Sequence, residues 1–354
     1  MTIINQYWAS WLLIFWSIFS SAQTFRTIVN FDQTNGAAPY YGALVQGTDG
    51  ALYGTTMVGG QNTGVPDGVA FRVTPNGDFS VLYNFCTQDG CSDGNGPRGG
   101  MVLGTDGNLY GTTTFGGNNE QLGTIYEIGR DGTLRTLYQF NYSTDGACPQ
   151  DSLIEATDGD FYGTTNCGGA YQLGTVFRIT PTGTFTALHD FGGPDGIEPF
   201  AGTIQTDDGS LFGTTPNGGI NSCKDGCGVV FRITPSGVFS VVHAFSGSDG
   251  QQPYGTLTQA SDGNIYGTTT DGGAFGYGTI FTMGRNGTFR IVHSFDHSDG
   301  AYPLGKLIEG TDGNDRCTKK SKGGWLAAFT LGWAVGASFA PYKKSTTGSA
   351  GTRG

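Results

Sequence analysis

Two glutamates, Glu155 and Glu309, occupy equivalent positions of a repeated sequence pattern and are the side chains best suited to catalysis. Paired carboxylates perform acid/base work on glycosides when they flank the same bond. The other repeats place Gln46, Leu103, Gln205 and Gln259 at this position. We predict that the position lines a central channel. Its side chains then act on a polysaccharide, form a polar, water-filled lining, or face the neighbouring repeat.

Three histidines, His189, His243 and His293, share another repeated position, where two further repeats place Tyr83 and Tyr138. Nucleophilic and metal chemistry require such groups close together, whereas equivalent positions on separate repeats are held apart. We predict a structural role for them. The sequence contains no P-loop, no Gly-x-Ser-x-Gly and no His-Glu-x-x-His motif. It therefore predicts a non-catalytic protein, with a polysaccharide hydrolase or lyase as the alternative.

Composition limits the class of protein that must position these residues. Glycine accounts for 63 of 354 residues, charged residues for only 13% and aromatic residues for 13%. Disordered chains are poor in aromatic residues, and collagen needs glycine at every third position, which this chain lacks. Residues 1–314 hold 11 Lys/Arg against 28 Asp/Glu. Such an acidic body repels phosphate backbones, which argues against nucleic acid as a partner.

Three short motifs recur in the same order about every 50 to 58 residues. The first ends in Gly-Thr-Thr and occurs at Leu52–Thr56, Leu109–Thr113, Phe161–Thr165, Leu211–Thr215 and Ile265–Thr269. The second is Asp or Asn, then Gly, two variable residues and Pro, and begins at Asn35, Asp93, Asp145, Asp195, Asp249 and Asp299. The third is a Gly-Gly pair shortly after the first. Their constant order indicates a tandem repeat.

Turn residues divide each repeat into four short strands, as the unit Asp151–Phe191 illustrates. Thr157-Asp158-Gly159 and Pro181-Thr182-Gly183 are suited to tight hairpin turns, because glycine accepts positive φ. The fourth strand has apolar residues at a spacing of three, at Phe185, Leu188 and Phe191. Because the segment is only about eight residues long and bounded by turns, this spacing predicts a bulged strand rather than a helix.

A four-stranded meander repeated radially is a β-propeller blade, in which neighbouring blades cover each other's apolar faces. We predict an all-β propeller over residues 23–314, with five complete blades and an incomplete sixth. Thr24–Phe31 matches a fourth strand and Pro303–Asn314 matches a first strand with its turn. The incomplete blade thus combines an N-terminal strand with the first C-terminal strand.

The combined motifs resemble the GloVer tandem repeat of extracellular bacterial proteins. The resemblance covers residues 24–314 and rests on the Asp-Gly-x-x-Pro, Tyr-Gly-Thr-Thr and Gly-Gly elements in their fixed order. It implies an exported surface protein, often with a C-terminal sorting or anchoring segment. It carries no catalytic residues over to this chain.

Both ends of the chain differ from the repeats. Residues 1–22 form a predicted signal peptide, with the apolar run Trp11–Phe19 followed by small residues. The run is shorter than the roughly 20 residues that span a bilayer, and we expect no membrane-spanning helix in the mature repeat domain. Residues 315–354 hold 7 Lys/Arg against one acid and lose the motif. We predict that this basic tail arises from a frameshift; the alternative is that it supplies the missing strands or an anchor.

The long, variable loops of all repeats are predicted to share one face, the usual place for binding on a rigid scaffold. Six cysteines map to these loops, and export predicts the local disulfides Cys86–Cys91, Cys148–Cys167 and Cys223–Cys227. The candidate ligand contacts there are Phe115, Tyr171, Phe275 and Tyr277.

We expect a secreted or cell-surface module that binds an extracellular glycan or protein, or a purely structural repeat. No cofactor is predicted, although the acidic segment Asp89–Asn95 is a weak calcium candidate.

Overall fold

The computed structural model describes residues 27–309 except 40–41, 62–66, 119–120, 221–222 and 285–286. The chain divides into two compact units, Met1–Asn30 and Phe31–Gly354. The described residues of the first unit, 27–30, carry no helix or strand. The predicted signal peptide (residues 1–22) and the basic tail (residues 315–354) lie outside the described residues.

Five antiparallel meander sheets of four strands make up the second unit, one for each complete sequence repeat. Blade 1 contains β1 (Val45–Gln46), β2 (Leu52–Thr56), β3 (Val69–Val73) and β4 (Phe79–Asn84). Blade 2 contains β5 (Val102–Leu103), β6 (Leu109–Thr113), β7 (Thr124–Ile128) and β8 (Leu134–Gln139). Blade 3 contains β9 (Ile154–Glu155), β10 (Phe161–Thr165), β11 (Thr175–Ile179) and β12 (Phe185–Asp190).

Blade 4 contains β13 (Ile204–Gln205), β14 (Leu211–Thr215), β15 (Val229–Ile233) and β16 (Phe239–Ala244). Blade 5 contains β17 (Thr258–Gln259), β18 (Ile265–Thr269), β19 (Thr279–Met283) and β20 (Phe289–Ser294). The only helical element in the described residues is a 3-10 turn at Asp89–Cys91. No described helix has the length and apolar character needed to cross a bilayer.

The apolar core lies between consecutive blades rather than inside any one of them. Tyr110 of blade 2 and Phe161 of blade 3 belong to one buried cluster, and their rings stack 4.0 Å apart. Each of the other three clusters likewise joins two neighbouring blades. A single sheet cannot bury both faces, so each blade depends on the next for its apolar burial. This packing confirms the predicted propeller architecture with five complete blades.

A bulge interrupts the pairing of the third and fourth strands in every blade, as the spacing of three predicts. In blade 3, Val176 pairs with His189 whereas Phe177 pairs with Ala187, which leaves Leu188 as the extra residue. The bulge lets Phe185, Leu188 and Phe191 all contribute to the apolar clusters on either side of blade 3.

The described parts of the predicted sixth blade form no strand ladder. Residues 303–309 nevertheless run beside blade 5, where Thr258 donates a hydrogen bond to the Leu307 carbonyl and Thr268 donates one to the Gly305 carbonyl. At the other end, Phe31 packs edge-on against Phe71 and Phe79 of blade 1. Phe191 makes the equivalent contacts with Phe231 and Phe239. Both segments therefore follow the paths expected of sixth-blade residues.

Candidate functional site

The loops of the five blades form two faces of different character. The turns between first and second strands and between third and fourth strands are tight, while the remaining loops are longer and differ between blades. We call the face with the long loops the loop face. The structure joins the three predicted cysteine pairs, Cys86–Cys91, Cys148–Cys167 and Cys223–Cys227, all on this face. The disulfides hold its loops in place.

Asp151 marks the point where the loop face meets the propeller axis. Its Oδ2 accepts hydrogen bonds from the Gly202 backbone N–H of blade 4 at 2.7 Å and from the Thr256 hydroxyl of blade 5 at 2.8 Å. One carboxylate thus links blade 3 to two other blades, and the contact with Thr256 skips over blade 4. Only residues near the axis lie within reach of so many blades.

Four further side chains occupy the repeated position directly after the motif proline. Arg98 Nη1 donates a hydrogen bond to Gln150 Oε1 between blades 2 and 3. Phe200 and Tyr254 of blades 4 and 5 meet edge-to-face, with ring centroids 5.5 Å apart. We call Arg98, Gln150, Asp151, Phe200, Tyr254 and Thr256 the axial set.

The axial set combines planar hydrogen-bonding groups with two half-buried aromatic rings. Guanidinium, amide, carboxylate and hydroxyl groups pair well with a polyol, while an aromatic face covers the apolar face of a sugar ring. A few convergent polar groups on an otherwise apolar wall are typical of small-molecule sites. The arrangement is therefore suited to binding a saccharide.

The aromatic residues predicted from the sequence lie further out on the loop face. Tyr171 and Phe275 are 64% and 60% exposed on the Gly-Gly loops of blades 3 and 5. Phe115 is half-buried on blade 2. Tyr277 contacts His297 and Tyr302 at ring distances of 5.1 and 5.8 Å. We call Phe115, Tyr171, Phe275 and Tyr277 the rim aromatics; apart from Phe275 and Tyr277, which share a loop, they are on separate blades.

The predicted channel residues contact the preceding blade instead of one another. Glu155 accepts hydrogen bonds from the Thr105 backbone N–H and hydroxyl of blade 2, at 2.9 and 2.7 Å. Glu309 accepts the same pair of bonds from Ser261 of blade 5. Gln205 and Gln259 accept one backbone bond each, from Thr157 and Asp207. We call this contact the inner latch.

Two members of the series depart from the latch. Gln46 donates to Gly50 within its own blade. Leu103 has no acceptor and packs in the apolar cluster between blades 1 and 2. There Arg130 of blade 2 donates to the Thr48 hydroxyl of blade 1 at 2.8 Å. A different residue therefore replaces the missing hydrogen bond between the same two blades.

The repeated histidines bind the aspartate of the Asp-Gly-x-x-Pro motif. His189, His243 and His293 each place Nε2 2.7 to 3.0 Å from Oδ2 of Asp195, Asp249 or Asp299. In all three pairs the aspartate also accepts a backbone N–H from the residue two positions after the fourth strand. These contacts are consistent with the structural role expected for the histidines.

In the predicted calcium segment Asp89–Asn95, both carboxylate oxygens of Asp93 accept hydrogen bonds from residues just before the segment. Asp93 Oδ2 accepts bonds from Tyr83, the Thr87 backbone and the Thr87 hydroxyl, while Oδ1 accepts one longer bond from the Gln88 backbone. Across residues 27–309, apart from the short gaps, no group of three or more His, Cys, Asp or Glu side chains is arranged to hold a metal ion.

The meander blades and their shared core define this chain as a β-propeller repeat protein. It belongs to the Gloeobacter/Verrucomicrobia repeat family, whose model matches residues 14–224 and 155–330. The match confirms the resemblance to the GloVer repeat drawn from the sequence motifs. No curated protein matches the sequence.

Solved structures with a similar fold include enzymes. A streptogramin B lyase superposes with a TM-score of 0.50 at 18% identity, covering 75% of this chain and 72% of that chain. A putative 6-phosphogluconolactonase from Bacteroides uniformis gives a TM-score of 0.49 at 14% identity, covering 74% and 72%. A gluconolactonase from Xanthomonas campestris gives 0.45 at 14% identity, covering 73% and 77%. At these identities the likeness shows the fold alone.

The prediction of a non-catalytic protein is contradicted by the streptogramin B lyase, an enzyme with a similar fold. It rested on the lack of familiar catalytic motifs and on the separation of equivalent residues between blades. That lyase shows that a propeller of similar fold can be an enzyme. A propeller without those motifs therefore gives no ground for excluding catalysis, and the neighbours transfer no specific activity.

Sequence reasoning missed the axial set. The motif Asp-Gly-x-x-Pro indicates a turn, and a turn motif assigns no role to the residue after its proline. That residue changes from Arg98 to Gln150, Phe200, Tyr254 and Leu304, while the glycine and proline of the preceding motif stay constant. This variable residue lies between the constant motif and the innermost strand. Its variation is the sequence signal that could have indicated the axial set.

Proposed function

We propose that the protein is an exported β-propeller that binds an extracellular carbohydrate at the axial set. The observation that carries the proposal is that Asp151 hydrogen-bonds Gly202 and Thr256, which lie two residues after the contacting rings of Phe200 and Tyr254. Gln150, which precedes Asp151, accepts a hydrogen bond from Arg98. Aromatic rings and planar polar groups at one point are suited to a sugar ring and its hydroxyls.

Export is supported by two independent features. Residues 1–22 read as a signal peptide, and three disulfides lie in the loops of one face. Disulfides persist in oxidising compartments and are rare in the cytosol. A secreted or cell-surface location fits the proposed ligand, since glycans are abundant outside cells. Fractionation of cells that express the full chain, with protein detected in the medium or at the surface, tests this part.

Binding of the full chain to a glycan array, followed by titration with the best saccharide, tests the ligand class. We expect Tyr254→Ala and Gln150→Ala each to weaken binding by about tenfold or more, which corresponds to one lost stacking or hydrogen-bonding contact. Tyr171→Ala, which removes an exposed aromatic far from the axis, is the matched control and should change affinity by less than about threefold. Loss of binding only in the Tyr171 variant would move the site to the rim. A blank array would overturn the proposal.

Incubating the bound saccharide with the protein and measuring product mass extends the same experiment to catalysis. A shortened or eliminated product that disappears in an Asp151→Asn variant would assign a reaction to the axial set.

A further inference from the structure

One position of each blade, buried or half-buried, lies two residues before the third strand, beside the connection to the next blade. Blades 2 to 5 fill it with Leu122, Leu173, Cys227 and Tyr277. Leu122 and Leu173 join apolar clusters between blades, and Cys227 is fully buried in a disulfide. We call this position the slot. In four blades of five, its occupant is compatible with a buried, largely apolar environment.

Blade 1 places a carboxylate in the slot. Asp67 is only 1% exposed, and neither of its carboxylate oxygens has a hydrogen-bond donor among the described residues. Burial raises the pKa of Asp67, and the negative charge of Asp93 raises it further. A buried carboxylate without a partner is costly, because it loses its hydration and gains nothing in return. The free energy of folding therefore favours either a bound cation or a proton at this position.

A second unpartnered oxygen lies on the adjoining segment of blade 2. Asn95 is 6% exposed, and its Oδ1 has no donor. The Gly96 backbone N–H donates to the Asp67 carbonyl at 3.1 Å, which holds the two segments together. The orphaned atoms of Asp67 and Asn95 are all acceptors.

In blade 4 the residue equivalent to Asn95 contacts the disulfide of the slot residue. Gln251 is the equivalent of Asn95, and Cys227 is the equivalent of Asp67. Gln251 Oε1 lies 3.4 Å from Sγ of Cys223, which is disulfide-bonded to Cys227. The side chain on the connection therefore lies within one disulfide bond of the slot residue in blade 4.

We propose that Asp67, Asn95 and Asp93 form an oxygen-ligand site for a divalent cation, calcium by ligand type, between blades 1 and 2. Calcium binds carboxylate and amide oxygens together with backbone carbonyls and water. Two carboxylates balance the charge of one Ca²⁺. Asp93 keeps Oδ1 for the ion, because that oxygen accepts only the 3.3 Å bond from Gln88. Two acids and one amide explain why a group of three acidic or histidine ligands is not found among these described residues.

Calcium-dependent unfolding of the full chain tests the site. After chelator treatment, added Ca²⁺ should raise the unfolding midpoint by about 5 °C or more at saturation, since a ligand that binds only the folded state stabilises it. Terbium should bind at the same place, and its emission should be sensitised by Tyr83, which is hydrogen-bonded to Asp93 at 2.8 Å.

The decisive variant is Asp67→Leu, which installs the residue that blades 2 and 3 already use. It should unfold at a higher temperature than the chelated wild type, and it should lose both the calcium shift and the terbium signal. Glu198→Gln, which changes an exposed acid of the loop face, is the matched control and should keep both responses.

Two results would overturn the proposal. One is a wild type that responds as Asp67→Leu should: calcium does not raise its unfolding midpoint, and terbium gives no sensitised emission. The other is a wild-type midpoint that does not respond to calcium and that rises relative to the midpoint of Asp67→Leu as the pH falls from 7 to 5. That result would mean that Asp67 is buried as a neutral, protonated acid.

Discussion

The imidazole ring of His243 in blade 4 lies flat on the phenyl ring of Phe289 in blade 5, with centroids 3.7 Å apart and planes within 1° of parallel. His189 stacks on Phe239 in the same way, at 3.6 Å. In blade 2, Tyr138 takes this place and stacks on Phe185 at 4.1 Å. Each of these rings also bonds the motif aspartate of its own repeat. The outer edges of neighbouring blades are therefore joined by one repeated aromatic contact.

This contact predicts a pH dependence of stability. Burial lowers the pKa of His243 below its ordinary value of 6.5, despite the opposing effect of Asp249. The unfolded chain then binds the proton more readily than the folded chain, so stability present above pH 6.5 is lost as the pH falls through that value. We expect the unfolding midpoint to drop between pH 7 and 5. His243→Tyr, which introduces the side chain that blade 2 carries at Tyr138, should stack equally well and lessen the drop.

The inner latch predicts a difference between two substitutions of Glu155. Glu155→Gln keeps an acceptor for the Thr105 backbone, as Gln205 and Gln259 do for theirs, and should change stability by less than about 0.5 kcal/mol. Glu155→Leu leaves that exposed N–H to water and should cost about 1 kcal/mol, the net contribution of a hydrogen bond. Urea unfolding of both variants measures the difference. Equal stability of the two would show that the latch contributes nothing.

The third prediction concerns the disulfide between Cys148 and Cys167, which closes a loop across 19 residues. Replacing both cysteines with serine should lower the free energy of unfolding by about 3 kcal/mol, because the unfolded chain gains conformational freedom. The Cys223–Cys227 pair closes a shorter loop of 4 residues and should cost less. Thiol titration of the unfolded, unreduced protein should detect at most one thiol, that of Cys317. Several thiols would contradict the pairing.

The glycine before each third strand predicts an intolerant position. Gly174 has a φ of +96°, and a Cβ there would lie 2.3 Å from the Thr165 carbonyl oxygen. Gly174→Ala should therefore cost more than about 2 kcal/mol through strain and a backbone clash. Gly159 has a φ of +80°, and a Cβ there would meet nothing within 4 Å. Gly159→Ala is the control and should cost about 1 kcal/mol, from backbone conformation alone. Thermal unfolding compares the two.

Much of the fold could be predicted from the sequence because the signals are local and repeated. Gly-containing turns delimit Phe161–Thr165 and its four counterparts, and the spacing of Phe185, Leu188 and Phe191 indicates a bulge before any pairing is known. Loop position also paired the six cysteines, since each pair is close in the chain. Repetition strengthened each of these inferences, because the same signal recurs in every blade.

The site was harder to predict because it depends on which blades come within reach of one another. Strand alternation places Glu155 on the innermost strand but does not show that the turn at Thr105 is its partner. Nothing local to Asp151 indicates a hydrogen bond to Thr256, 105 residues away. Asp67 follows a proline in a loop, where an acid is normally exposed, so its burial became visible only in the folded chain.

The inner latch has a consequence for how such a protein can grow. Blades 3, 4 and 5 each carry an acceptor that bonds the preceding blade and a turn whose backbone N–H bonds the acceptor that follows. A duplicated copy of such a unit therefore contains both partners of the contact. Copying one of these units in the gene would add a blade that forms the inner latch on both sides. No substitution in the neighbouring blades would be needed. If one such unit were lost, the acceptor of the blade after it could form the same hydrogen bond with the turn of the blade before it.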